Sequence, residues 1–463
     1  VVWSWIFSVA SFVLTLFLTW RWGVGSSSPR IGLLATGLLA TNYSITAYAT
    51  GGLETAFVTA QVMAAAYLLG VRRRPGIVRL SLAAIFSATA VMTRMDASLP
   101  LIPFWAAIVF PLKGRRPTFD ARAFMLGLAI GGGIVGTWLL WRHAYYGYWL
   151  PNTFLIKGST SPLRGFLYVS LFAVVYGWGI LVLKRLTLKP EEDERILCGR
   201  LPMMWACGLY LAYIVSVGGC FMEFRMLMAV LPFIALLIGD WIDAMILRRP
   251  KRGYALYAVL IALGLIGIPR RFPDRMITTV PELGRLAVEW RGYAEEWNLL
   301  FGDDASKIKL SLTPAGVIPY LTDAPSYDQL GLNQREVALE GDRIRPVHKC
   351  LGNFPGHVRL ATWKQLTDAK VNLVLNHPWV IDRCALEKST LLKGPAVSRV
   401  RLNREFPFFS SRIPPASGAK VVIWPISGNR HWVMIYLTPS KAVDDAIIRT
   451  GAIILPLTEL NCP

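Results

Sequence analysis

The first 270 residues consist largely of apolar stretches close to the length of a bilayer crossing, near 3–20, 31–48, 55–71, 79–93, 97–112, 124–141, 163–183, 202–218, 226–247 and 253–269. In lipid every backbone N–H and C=O must be satisfied inside its own segment, so runs of this kind can cross only as helices. The sequence therefore predicts a polytopic α-helical membrane protein of about ten transmembrane helices, followed by a soluble α/β domain. The boundary falls at 270/271, which gives a transmembrane helical domain over 1–270 and a soluble domain over 271–463.

The formal net charge of +20 invites a reading as a nucleic-acid binder. Its distribution excludes that need. One set of loops between the runs carries Arg21 and Arg30; Arg72, Arg73, Arg74 and Arg79; Lys113, Arg115, Arg116 and Arg122; Lys184, Arg185, Lys189, Arg195 and Arg200; and Arg248, Arg249, Lys251 and Arg252. The alternate set carries only Arg94, Arg142, Lys157, Arg164 and Arg225. Nineteen against five in strict alternation places the first set on the cytoplasmic side. With an even number of helices, residues 271–463 and Val1 then lie outside. No Met and no basic flank precede the first apolar run, so at least one further helix and outer loop are expected upstream.

The outer loops are not simple connectors. The first, Ala49–Glu54, holds two glycines and Glu54 at a helix start, where a carboxylate either caps the helix or faces a ligand that the glycines let approach. The second, Thr93–Asp96, sets Arg94 and Asp96 inside a long apolar stretch, where such charges pair or mark a substrate path. On a helix the two are too close in sequence to face one another, so each is expected to be free for another partner. The third, His143–Lys157 (HAYYGYWLPNTFLIK), places Tyr145, Tyr146, Tyr148 and Trp149 at the lipid boundary, followed by Asn152 and Lys157. It reads as an aromatic belt with a snorkelling lysine, or as an aromatic platform beside a phosphate-binding cation. The fourth, Gly218–Arg225, carries Glu223 and Arg225, which either pair together or are solvated. Charge beside Gly, Pro or aromatics in all four loops points to a polar site for an anionic amphiphile at the outer face of a helix bundle.

GGLET (Gly51–Thr55), Arg94-Met95-Asp96-Ala97, YYGYWLPNTFLIK (Tyr145–Lys157) and GGCFMEFRMLMAVLP (Gly218–Pro232), in this order, resemble the bacterial membrane glycosyltransferases of the GT-C class. The most similar group is the terminal β-arabinofuranosyltransferase of the mycobacterial cell wall and its relatives. AGVIPYLTDAPSYDQLGLN (Ala315–Asn333) and Pro355-Gly356-His357 resemble that group's outer domain, so the likeness spans roughly 30–380. Cys220 stands where the family has an acidic residue, and Met95 and Ala97 depart from an Arg-Pro-Asp-Gly turn.

The resemblance implies transfer of a sugar from a polyprenyl-phosphate donor to a cell-envelope glycan acceptor outside the bacterial cytoplasmic membrane, with membrane lipid as surroundings and no nucleic acid. It implies Arg94, Lys157 and Arg225 as donor-phosphate ligands, and Glu54, Asp96, Tyr146 and Asn152 as substrate-binding residues. It also implies a catalytic Asp in an outer loop before Val1. A divalent metal is admitted by the class, but no His or acidic cluster at ligand spacing calls for one, and the five histidines are scattered.

In the tail, Lys307–Leu312, Val371–Leu375, Lys420–Trp424 and Trp432–Leu437 read as strands and Ala315–Leu321 as a helix. This domain would recognise acceptor, cover the site or give structural support. Cys350 and Cys384 lie outside, where a disulfide between them is allowed. The rival reading is a transporter or flippase of an anionic or lipid-linked substrate; against it, no internal repeat is visible and the charges cluster on one face.

Overall fold

The computed structural model describes residues 2–26, 28–70, 75–110, 120–157, 161–179, 194–267, 277–313, 316–344, 351–389, 391–392, 394, 397–398 and 418–458. The chain forms two compact units: Val1–Trp149 with Ser161–Val280, and Leu150–Thr160 with Pro281–Pro463.

The first unit is helical, and the apolar runs become its helices: α1 (Val2–Val24), α2 (Pro29–Ala40), α3 (Tyr43–Thr50), α4 (Glu54–Gly70), α5 (Ile77–Thr93), α6 (Ser98–Val109) and α7 (Ala121–Tyr146). Pro162–Tyr176, Glu194–Ser216, Leu231–Arg248 and Pro250–Ile266 complete it. The run expected as one helix over 31–48 is two. Asn42 turns the chain and caps α3 by accepting from the Ile45 N–H, and Thr41 closes α2. The far end of the 163–183 run lies outside the described residues beyond 179.

Leu231–Arg248 lies at the centre, buried on all sides from Leu231 to Asp243, and packs against α2 and Pro250–Ile266. Alpha-helix α7 is the opposite case: of its 26 residues only Ala123 and Gly127 are buried, while Leu126, Leu128, Leu140 and Trp141 are exposed. Helix α1 likewise exposes Trp3, Phe7, Val13 and Phe17. Apolar surface on this scale is unfavourable against water and ordinary against lipid. By length and composition α1 and α7 can each cross a membrane, and α3 with α4, bent by 111°, makes a third candidate if the pair is one span. Pro29–Ala40, Ile77–Thr93 and Pro162–Tyr176 are apolar but shorter, so ten full crossings do not follow from helix lengths alone. Close helix contact uses small residues: a Cβ on Gly23 would come within 2.3 Å of the Gly32 backbone, so α1 and α2 meet backbone to backbone.

Four basic residues of the two loop sets, Arg30 and Arg200 of one and Arg94 and Arg225 of the other, sit at opposite ends of this unit. Arg30 reaches Asp243 at 2.8 Å and Arg200 pairs with Asp240, both toward the C-terminal end of Leu231–Arg248. Arg225 lies just before that helix's start, and Arg94 belongs with it.

The second unit is built on a seven-stranded mixed sheet of order β2-β1-β5-β8-β7-β9-β6. Its strands are β1 (Leu310–Leu312), β2 (Ser326–Asp328), β5 (Leu373–Asp382), β6 (Val397–Ser398), β7 (Lys420–Ile426), β8 (Arg430–Tyr436) and β9 (Ile453–Thr458); β3 (Asp342–Arg343) and β4 (Arg359–Leu360) form a separate pair. The β7–β8 hairpin turns through Gly428 and Asn429, both at positive φ, and sets Trp424 opposite Trp432. Val421, Ile423, Val433 and Ile435 fill one face of the sheet, and Val422, Trp424, Trp432 and Met434 the other. Helices cover both faces: Val280–Phe301 and Lys441–Thr450 supply Trp297, Phe301 and Val443 to the tryptophan side, and Trp363–Asp368 supplies Trp363 and Leu366 to the other. The four expected strands and the helix, here Val317–Thr322, are all present, within a few residues of their expected bounds except for β5, which runs on to Asp382.

Candidate polar site of the helical unit

Three of the four loops bring their charges to one place. The bend between α3 and α4 passes through Gly52 at φ 67 and puts Glu54 at the first position of α4. One oxygen of Glu54, Oε1, accepts from Arg94 Nη1 at 3.5 Å, 40 positions along the chain, and from Arg225 Nη2, 171 positions along. Arg225 also donates from Nε to Thr55 Oγ1 at 3.0 Å and lies 3.1 Å from the Met222 sulfur through Nη1.

Arg94 and Asp96 pair with each other, contrary to the expectation that both would be free. The helix spacing rule does not govern them, because Arg94 has left α5 with extended dihedrals (φ −148, ψ 117) and Asp96 sits in the single 3₁₀ turn that follows. Arg94 is therefore able to fork onto the carboxylate, Nε to Oδ1 at 3.0 Å and Nη2 to Oδ2 at 2.7 Å. Tyr210 of Glu194–Ser216 donates to Oδ2 at 3.0 Å. Burial disfavours the charged Arg94, but the Asp96 carboxylate overrides it and holds the guanidinium protonated.

Glu223 and Arg225 do not pair either, nor is Glu223 solvated. The fourth loop folds back through Gly218 (φ 79), Gly219 (φ 76) and Phe224 (φ 42), and a Cβ on Gly219 would lie 2.8 Å from the Tyr168 ring. That turn sends the two side chains apart. Glu223 is fully buried; it accepts from Ser44 Oγ at 2.6 Å and from the Val280 N–H at 2.8 Å, and Tyr176 Oη meets Ser44 Oγ at 2.6 Å. The Met222–Thr278 bridge fixes the same segments to one another.

Burial pushes the Glu223 carboxyl above its ordinary value, against the opposing bonds from Ser44 and Val280. A carboxyl raised in the folded state contributes stability that is complete below its unfolded value and declines as pH rises through the folded one. Thermal stability should therefore fall as pH climbs above about 4.5. Glu223→Gln should lack that slope; a Gln variant with the same pH profile would show that Glu223 is not its source.

The remaining expected site residues, Tyr146, Asn152 and Lys157, lie on other elements. Tyr146 ends α7 with its ring half-exposed against Trp141 and Tyr145, and the Arg142 guanidinium is 5.9 Å away. His143 stacks on Trp149 at 4.3 Å. His143–Tyr146 is still helix, so the aromatic loop is shorter than its sequence suggested. Asn152 and Lys157 bound a short helix, α8, that belongs to the second unit and packs on Arg335–Glu340; the Lys157 side chain lies outside the described residues. So does Cys350, while Cys384 is exposed. Among the described residues no three His, Cys, Asp or Glu side chains gather as metal ligands.

Four residues of these networks were not singled out in the sequence: Thr55, Tyr210, Ser44 and Tyr176. Tyr210 and Tyr176 lie within apolar runs, where a hydroxyl that must find a partner was the available signal.

No family model and no curated protein matches the chain. Among solved structures it is similar to the crystal structure of ArnT from Cupriavidus metallidurans in the apo state. The two share 12% sequence identity, over 94% of this chain and 84% of that one, with a TM-score of 0.45.

Proposed function

We propose that the chain is a membrane glycosyltransferase that moves a sugar from a polyprenyl-phosphate donor to a glycan acceptor at the outer face of a bacterial cytoplasmic membrane. The observation that carries this reading is the meeting of Arg94 and Arg225, from two distant loops, on one carboxylate at one end of a helical unit with apolar flanks. An amphiphilic phosphate needs that combination: lipid-facing helices for its isoprenoid chain, and forked cations at headgroup depth for its anion. In transfer, the bond from the sugar to the phosphate breaks and negative charge grows on the leaving phosphate. Guanidiniums fixed beforehand lower the energy of that state. Within the helical unit, Asp96 and Tyr146 would meet the sugar or hold the cations. The terminal β-arabinofuranosyltransferase group is the family this assignment favours, on the motifs in the four loops.

In membranes carrying the full-length protein, Arg225→Gln should lower transfer from a polyprenyl-phosphate sugar by about 10²–10³-fold. Wild-type turnover in this variant would sink the assignment. The 111° break between α3 and α4 is the one feature that favours a transporter, since transporters place substrates at broken helices. Proteoliposomes separate the two: flux of lipid-linked sugar without transfer is the transporter's result.

The reading places the second unit outside. In a background stripped of its native cysteines, a cysteine at the exposed Tyr320 should react with an impermeant maleimide on intact cells, and one at the exposed Lys251 should be spared. The reverse pattern would overturn the orientation.

A further inference from the structure

The two carboxylates that neutralise the arginines are held differently. Asp96 is gripped by both ends of the Arg94 fork and by Tyr210, with only 10% of its side chain exposed. Glu54 offers both arginines a single oxygen, makes the longer of the two Arg94 contacts, and is 34% exposed. Among the described residues two guanidiniums face two carboxylates here, and withdrawing the Glu54 carboxylate makes the cluster one charge more positive, which favours a phosphate.

We propose that Glu54 is an exchangeable internal anion: its carboxylate occupies the point between Arg94 and Arg225 that a phosphate oxygen takes, and it is displaced when the phosphate enters. This rests on the donor-phosphate reading above and deepens it. Asp96 stays, keeping Arg94 aimed, while Glu54 swings toward solvent along its exposed side. After the sugar leaves, the same carboxylate returns to the arginines and competes the phosphate product off them. Glu54 is thus a positioning and release residue whose loss strengthens phosphate binding, the opposite of what removal of a ligand does.

The test uses the full chain in detergent micelles and farnesyl phosphate as the probe, with farnesol as the uncharged control. Glu54→Gln should bind farnesyl phosphate about tenfold more tightly than wild type, a difference of about 1.4 kcal/mol. Arg225→Gln should bind it at least about tenfold more weakly, and farnesol should not distinguish the three. If Arg225→Gln weakens binding and Glu54→Gln weakens it or leaves it unchanged, Glu54 is a fixed support and the exchange is refuted, while the phosphate reading survives. If Arg225→Gln binds like wild type, the phosphate reading itself fails. A measurement on the wild-type sequence removes dependence on the variants' folding. In protein with carboxyl-labelled glutamate, infrared difference spectra should show a glutamate carboxylate band shifting with farnesyl phosphate and not with farnesol. No shift in any glutamate band would overturn the exchange.

Discussion

Arg94→Ala is expected to destabilise the helical unit by about 3–5 kcal/mol and to abolish transfer, because it takes the forked guanidinium away from a part-buried Asp96 carboxylate. The fork is the strongest kind of pair in the unit, two short charge-assisted bonds in a part-buried site. What makes the loss large is the stranded carboxylate, more than the pair's net worth. Adding Asp96→Asn to Arg94→Ala should therefore restore much of the stability, with Tyr210 still able to bond the amide, and none of the transfer. Thermal unfolding of the two single variants and the double variant gives the coupling. A double variant less stable than Arg94→Ala alone would show that the carboxylate is not what destabilises it.

In the second unit, Trp432→Ala should cost about 3–5 kcal/mol, as expected for a fully enclosed aromatic between β7 and the Val280–Phe301 helix. Trp432→Phe should cost much less. Among the described residues the buried Trp432 Nε1 has no hydrogen-bond acceptor, so the smaller ring gives up volume and also removes an unsatisfied donor. Denaturant midpoints followed by tryptophan fluorescence would separate the two, and equal losses would mean that the indole N–H has a partner in solution.

Helix positions were legible because lipid-length apolar runs and their polar breaks are long-range signals that local irregularity hardly blurs. The break at Thr41–Asn42 was not, since it lies inside a run that stays apolar on average and rests on one side-chain cap. In the tail, β5 extends well past the expected Leu375 even though it contains Pro378, which ordinarily ends a strand. The pairing with β8 shifts register between Val374 and Trp379, and the irregularity accommodates a residue with no N–H. β2 and β6 are three and two residues long, too short for an alternating pattern to show.

The candidate site was legible as a set of charges on one series of loops and illegible as a set of pairs. Sequence spacing set Arg94 apart from Asp96 and left Arg225 beside Glu223. The backbone decided otherwise, through one extended residue at position 94 and three positive-φ residues between 218 and 224. Such pairings depend on turn conformations that no periodicity encodes.

The chain's path between its two units bears on how the molecule can be taken apart. It enters the second unit at Leu150, returns at Ser161, and leaves for good after Val280. Helix α8, carried in that short excursion, buries Ile156 and rests on Arg335–Glu340. A protease cut or stop codon at 280 would not release two intact halves. It would strip α8 of its support and leave an apolar strap hanging from the helical unit, so loss of activity on truncation could not be charged to the missing C-terminal residues alone.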